Sequence, residues 1–217
     1  MPVKIAPSLA AAPLHRLQQV LQELESAGAD QIHFDLEDGS FVPMMTLGAK
    51  LIPDLRLYSE LPFDVHLMMV NPEWILPEII RGGANRVSVH YEACAYPRRV
   101  LRQISSLGAL PGIAFNPGTS IPDVSFLFPY LSFIVVLTTE PEVPDCPFLP
   151  EALEKVRRGK QDETMKGIEW VVDGGINIDN ISQVRSAGAD TLVIGRSVFK
   201  DGKIAQNMAS LRNAASV

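Results

Sequence analysis

Apolar and polar positions along this chain follow two rhythms in turn. Short runs rich in β-branched and aromatic residues predict strands near "VKIAPSL", "QIHFDLE", "FDVHLMMV", "RVSVHYE", "LPGIAFN", "SFIVVLT", "IEWVVDG" and "TLVIG". Between them lie amphipathic stretches such as "PLHRLQQVLQELESAG", where Leu14, Leu17, Leu21 and Leu24 recur at helical spacing. Several of these close on a related phrase: "SAGAD" at Ser26, "RGGAN" at Arg81, "SLGAL" at Ser106 and "SAGAD" again at Ser186. A glycine just past a helix and just before a strand is a stop signal. Eight strand–helix units of about 27 residues fill the 217 residues as one domain, 1–217, which predicts an α/β fold of the (β/α)8 TIM barrel type. An open doubly wound sheet would have fewer strands and a glycine-rich turn after the first, where this chain has "APSLAAAP".

Composition narrows the function classes. Hydrophobic residues make up 47% and charged residues 20%, enough for one large core and unlike a disordered chain. A net charge of -6 argues against a nucleic-acid surface, although a few donors in a cleft still suffice for an anionic small molecule. Cys94 and Cys146 are too few for a disulfide framework and lack metal-type spacing, which suits a reducing cytoplasm. The N-terminal stretch has no apolar run of signal-peptide length. The most apolar window, "FLFPYLSFIVVL", is interrupted by Pro129 and falls short of the ~18 residues of a membrane span. The expectation is a soluble cytoplasmic protein with no membrane or nucleic-acid partner.

The stretch "QIHFDLEDG" sets charge inside an apolar pattern, which is costly unless something compensates it. Side chains alternate along a strand, so His33, Asp35 and Glu37 share a face, as do Asp64, His66 and Met68. If those faces line the barrel interior, they converge at the mouth, where Asp173 ends the seventh strand. A strand histidine taken alone is as a rule a hydrogen-bonded core residue, the reading for His90 with Glu92 as its partner. Asp64 reads as a structural hydrogen bonder, His15 as a surface residue, and Asp173 by itself as a turn carboxylate capping the next helix. Taken together, His33, Asp35, His66 and Asp173 form a His2Asp2 set on three strands, suited to a divalent Zn, Mn, Fe or Co ion without ranking them. Such a cation would neutralise the buried carboxylates. A second constellation pairs Gly174 and Gly175 in "DGGIN" with Gly195 and Arg196 in "IGRSVF", where many barrels hold a phosphate on backbone N–H groups. A plain tight turn and a surface arginine are the competing readings.

These residues resemble the ribulose-phosphate 3-epimerase family. "IAPSL" at Ile5, "IHFDLEDGSFVP" at Ile32, "DVHLMMVNP" at Asp64, "VHYEA" at Val89, "NPGT" at Asn116, "PFLPEALEKV" at Pro147, "VDGGI" at Val172 and "IGRSVF" at Ile194 recur in family order over nearly the whole chain. The resemblance implies a ribulose-phosphate-binding barrel that epimerises C3 of a ketose phosphate such as D-ribulose 5-phosphate or D-xylulose 5-phosphate. Asp35 and Asp173 would be the acid–base pair on opposite faces of the substrate carbon. The metal would be held by His33, Asp35, His66 and Asp173. Ser8 and His66 would contact substrate, Met68 would shield the enediolate, and Gly174, Gly175, Gly195 and Arg196 would take the phosphate. A homo-oligomer is also implied.

Three positions depart from the family pattern. Glu37 stands where methionine is usual, and would bind substrate, join the metal shell or pair with Arg196. Arg196 replaces a serine of the phosphate loop. The loop "EPEVPDCPF", Glu140 to Phe148, replaces a glycine-rich flap resembling N-P-G-F-G-G-Q. A sugar-phosphate-binding barrel that has lost turnover, with a regulatory role, is therefore the alternative to an epimerase. An aldolase or synthase ranks behind both, because Schiff-base chemistry wants a lysine at a strand end and the lysines lie mostly on helices and loops.

Overall fold

The computed structural model describes residues 2–141 and 146–216. Strands and helices alternate through it as β1 (Lys4–Pro7), α1 (Leu17–Ser26), β2 (Ile32–Glu37), α2 (Leu51–Arg56), β3 (Phe63–Met68), α3 (Leu76–Arg81), β4 (Ala84–His90) and α4 (Pro97–Ser106). The second half runs β5 (Leu110–Phe115), β6 (Phe133–Leu137), α5 (Leu153–Gln161), β7 (Glu169–Asp173), α6 (Ile181–Ser186), β8 (Thr191–Ile194), α7 (Arg196–Phe199) and α8 (Ile204–Ser216). The eight strands pair in parallel in the order β1-β8-β7-β6-β5-β4-β3-β2. A bridge between Ser8 and His33, and the Asp30 N–H donated to the Ile5 carbonyl at 3.1 Å, bring β1 and β2 together. This is the expected barrel.

The repeated helix-ending phrases have a common backbone cause. Gly28, Gly83, Gly108 and Gly188 all take positive φ, between 77° and 115°, at the turn from a helix into a strand.

Two elements differ from the sequence expectation. Leu14 sits in a short 3-10 turn ahead of α1 and is 46% exposed, while Val20 joins Leu17, Leu21 and Leu24 on the buried face. No α-helix joins β5 to β6 among the described residues; that connection holds only the 3-10 segment Ser125–Tyr130, with Pro129 inside it. Proline lacks the N–H that a longer helix would need there. No helix among the described residues is long and apolar enough to cross a membrane.

The apolar residues form two bodies. The larger lies between strands and helices and includes Phe34, Phe63, Val87, Ile134 and Trp170. The smaller fills part of the barrel lumen with Ala6, Ala114, Phe133, Val135, Leu137, Val171 and Val193, all from β1 and β5–β8. The lumen-facing residues of β2, β3 and β4 are instead mostly polar: His33, Asp35, Asp64, His66, Arg86, Ser88 and His90 are all buried, with Met68 the apolar residue at the mouth. Strand parity thus makes the interior largely apolar on one side and largely polar on the other, with Glu169 and Asp173 at the two ends of β7 adding charge from the apolar side.

Outside the barrel, Trp170 packs into a gap on α5 opened by Gly159, where a Cβ would lie 1.8 Å from the indole Cζ2. On an open helix face alanine would outperform glycine by about 1 kcal/mol. Here Gly159→Ala is expected to lower stability by about 1–3 kcal/mol, because the buried indole must move. Urea denaturation followed by Trp fluorescence measures it.

Candidate active site

The C-terminal ends of β2, β3 and β7 carry the charged cluster. One ligand-type atom from each of His33, Asp35, His66 and Asp173 lies within 4.8 Å of the others. His33 Nε2 is 3.1 Å from Asp35 Oδ1 and 3.7 Å from Asp173 Oδ2. His66 Nδ1 is 3.4 Å from Asp35 Oδ1 and 3.6 Å from Asp173 Oδ2. A tetrahedral cation with bonds of ~2.1 Å separates its ligand atoms by about 3.4 Å, so the four groups surround a site of the right size.

The surrounding hydrogen bonds set which nitrogens face inward. His90 Nδ1 lies 3.2 Å from Glu92 Oε2, and His90 Nε2 lies 3.0 Å from His66 Nε2. Burial, together with the neighbouring His66, holds the His90 imidazole down at about 4 against the pull of Glu92, so it is neutral at pH 7. A neutral His90 that donates from Nδ1 to Glu92 accepts at Nε2, and His66 must then donate from its own Nε2. In the neutral imidazole that leaves His66 Nδ1 as a lone pair. Among the described residues this buried atom makes no hydrogen bond, and it faces two carboxylate oxygens.

His33 is oriented from the other side. Its Nδ1 lies 2.9 Å from Asp64 Oδ2, and Asp64 Oδ1 accepts from Arg86 Nε at 3.3 Å. Burial alone would lower the basicity of both imidazoles. For His33 the carboxylates of Asp35 and Asp64 outweigh burial, and for His66 those of Asp173 and Asp35 do, so both titrate above the ordinary imidazole value. Burial likewise opposes the charged form of Asp35, yet His33 and His66 hold it well below the ordinary carboxyl value. The cluster as built draws positive charge to its centre, whether as protons or as a cation. Its mixed nitrogen and oxygen donors fit a divalent transition metal.

Above the cluster opens a cavity of about 420 Å3. Ser8, Asp35, Met68 and Asp173 line its floor side, and Gly174, Gly175, Gly195 and Arg196 line one wall. The Ser8 hydroxyl donates to Asp35 Oδ2 at 2.6 Å, which leaves Oδ1 toward the two imidazoles. Gly174 and Gly175 both take positive φ, and a Cβ on Gly174 would lie 2.3 Å from Thr139 Oγ1. The two glycines thus form a tight βα turn. They continue into a smaller recess of about 230 Å3 with Gly195, Arg196 and Ser197.

Glu37 does not line the main cavity. It is buried, its Oε2 accepts the Thr46 N–H at 2.5 Å, and its Oε1 has no partner among the described residues. No ion pair links it to the exposed Arg196, so of the three uses read for Glu37 this one is not formed. Asp173 does not cap α6; Asn180 stands at that position. His15 is exposed, as read. In the loop after β6, Glu140, Pro141 and Cys146 reach the cavity wall, while residues 142–145 of "EPEVPDCPF" lie outside the described residues. Sequence reading missed the contact of His90 with His66, the Thr46 clamp on Glu37 and the lumen position of Arg86. The alternation that placed His90 inward also places Arg86 inward, four residues earlier on β4.

Residues 4–199 match the profile of the Ribulose-phosphate 3 epimerase family. The chain belongs to the ribulose-phosphate 3-epimerase family. Among the curated members of this epimerase family, it is 36% identical to the ribulose-phosphate 3-epimerase of Synechocystis sp., over 98% of this chain and 94% of that one. It is 32% identical to the enzyme of that name from Bacillus subtilis, over 98% and 99%. The chloroplastic ribulose-5-phosphate-3-epimerase of Arabidopsis thaliana is 36% identical over 90% of this chain and 71% of its own. Among solved structures, a ligand complex of KGPDC from Streptococcus mutans superimposes with a TM-score of 0.74 at 13% identity, covering 99% of this chain and 98% of that one. A 3-hexulose-6-phosphate synthase gives 0.66 at 16%, covering 99% of each. At these identities the two structures share only the barrel fold with this member of the epimerase family.

Burial raises the Glu92 carboxyl, but His90, Thr119 and the Asn116 N–H pull it down to about 2, against an ordinary value of 4.5. A lowered carboxyl stabilises the fold above its unfolded value and loses that contribution as pH falls through its folded one. The Glu92→Gln variant is thus expected to be less stable than the parent at pH 7 by about 1–3 kcal/mol. The difference should shrink between pH 4.5 and 2, as read by denaturant titration at each pH.

Proposed function

We propose that this protein is a metal-dependent epimerase that inverts C3 of a ketose phosphate, D-ribulose 5-phosphate and D-xylulose 5-phosphate being the first pair to test. The single observation that carries the reading is the buried His66 Nδ1, unbonded among the described residues and directed at the carboxylates of Asp35 and Asp173. Such an arrangement is unfavourable without a positive charge between the groups. His33, Asp35, His66 and Asp173 would hold a divalent cation there, and when bound it supplies Lewis-acid stabilisation of negative charge on the carbonyl oxygen.

The remaining chemistry belongs to the chain. Inversion needs an acid and a base on two sides of one carbon. Asp35 comes from β2 and Asp173 from β7, strands separated around the barrel by β1 and β8, so the two carboxylates approach from different sides. One would take the C3 proton and the other would return a proton to the far face. Ser8 would hold Asp35 Oδ2 in place during the transfer. Met68, buried against the cavity, would keep water from the carbanionic carbon. The recess at Gly174, Gly175 and Gly195 would receive the phosphate on backbone N–H groups, with Arg196 adding a charge-assisted bond. The names of the curated relatives support the substrate class.

Incubation with ribulose 5-phosphate in heavy water is expected to place one deuterium at C3 and to generate xylulose 5-phosphate, read by NMR. Asp35→Asn and Asp173→Asn should each lower the rate by about 10²- to 10⁴-fold. Metal bound by the parent with no label in any pentulose or hexulose phosphate would favour a binding protein over an enzyme.

A further inference from the structure

The barrel floor beneath the cluster holds a line of charges, buried at Asp64 and Arg86, half-buried at Glu169 and exposed at Lys4, that the reaction itself does not use. His33 Nδ1 meets Asp64 Oδ2 at 2.9 Å, and Asp64 Oδ1 accepts from Arg86 Nε at 3.3 Å. Arg86 Nη1 donates to Glu169 Oε2 at 2.8 Å, and Glu169 Oε1 accepts from the Thr191 hydroxyl at 2.5 Å. The Lys4 ammonium lies 3.5 Å from the same Glu169 oxygen at the opposite end of the barrel. Signs alternate all the way down: carboxylate, guanidinium, carboxylate, ammonium.

A purely space-filling role is a poor account of this line. Burying an ion pair costs desolvation that its attraction barely returns, and well-packed apolar side chains stabilise as well or better. This lumen already uses that simpler solution on its other half, with Val135, Val171 and Val193. Charge is concentrated instead along the line that leads to His33, with Asp64 and Arg86 buried on β3 and β4 and Glu169 reaching it from β7. Arg86 is also fixed from a second direction: its guanidinium carbon lies 4.1 Å from the centroid of the Phe133 ring. That ring occupies space left by Gly112, where a Cβ would fall 2.3 Å from it. The guanidinium is therefore held by two carboxylates and one aromatic face.

We propose that Arg86 and Glu169 are positioning residues for the metal site, acting through Asp64. In this role Arg86 holds the Asp64 carboxylate beside His33, and Asp64 keeps the His33 proton on Nδ1. His33 Nε2 is then left as the electron pair that meets a cation. Glu169 balances the Arg86 charge and, with Thr191 and Lys4, prevents the guanidinium from rotating away. Partners of this kind commonly change metal affinity by about 10- to 100-fold when removed. The inference rests on the metal site proposed above.

Mn2+ titration of the substrate-free protein, followed by EPR, tests both and separates them. The parent should bind one Mn2+ per chain and Asp35→Asn should not; a parent that binds none would overturn the site and this inference with it. With binding in the parent established, Arg86→Met and Glu169→Gln are each expected to weaken Mn2+ by about 10- to 100-fold while the far-UV CD spectrum is retained. Arg86→Lys, which keeps the charge but loses the fork between Asp64 and Glu169, should fall between the parent and Arg86→Met. Glu169→Gln preserves shape and secures the test if Arg86→Met does not fold. At saturating Mn2+ the KM for ketose phosphate should be unchanged, since neither residue lines the cavity. Folded variants whose Mn2+ affinity stays within about twofold of the parent, well short of the loss such partners cause, would overturn the positioning role and leave the metal site standing.

Discussion

The site depends on one electrostatic constraint: two carboxylates and two imidazoles meet in a buried space with their electron pairs directed at a common centre. Asp35 and Asp173 arrive on β2 and β7, with β1 and β8 between those strands, and the cluster is unfavourable without positive charge at its centre. The supporting contacts make sense in that light. Ser8 turns Asp35, Asp64 turns His33, and the His90–Glu92 pair turns His66, so each of these three side chains has one side fixed by the protein and one side toward the shared centre.

The fold gives this constraint its geometry. Parallel strands in a ring bring side chains of like parity to the same axis, and the chemistry then gathers at their C-terminal ends. Register matters more than proximity in sequence: Asp35 lies beside His66 across β2 and β3, although 31 residues separate them along the chain. The βα turn at Gly174 and Gly175 sits beside Asp173 for the same reason. Asp173 and the recess read as the phosphate site therefore share one strand end, and the distance between them is set by backbone.

Much of this was legible in the sequence because it rests on short-period patterns. Alternation on β2 and β3 put His33, Asp35, Asp64 and His66 on one face, and the recurring glycine phrases marked the helix ends. What was not legible depends on relations between strands. His66 and His90 meet only through the β3–β4 register, and one histidine on its own strand gives no sign of which neighbour it will touch. Arg86 sits in "NRVSVHYE", where a single charged residue near a strand start reads as a solvated end, and its partner Glu169 lies 83 residues away. The missing helix between β5 and β6 was obscured by a strong overall rhythm, although Pro122 and Pro129 stand within that connection.

The division of the lumen into halves has a consequence for how this barrel can change over time. On the side of β5 to β8, exchanging one aliphatic residue for another alters only volume, and a neighbour can adjust. On the side of β2 to β4, exchanging Asp64, Arg86 or His33 also leaves a buried partner without its counterpart. Variation there has to arrive in matched sets, so that half of the cylinder should drift more slowly and in step.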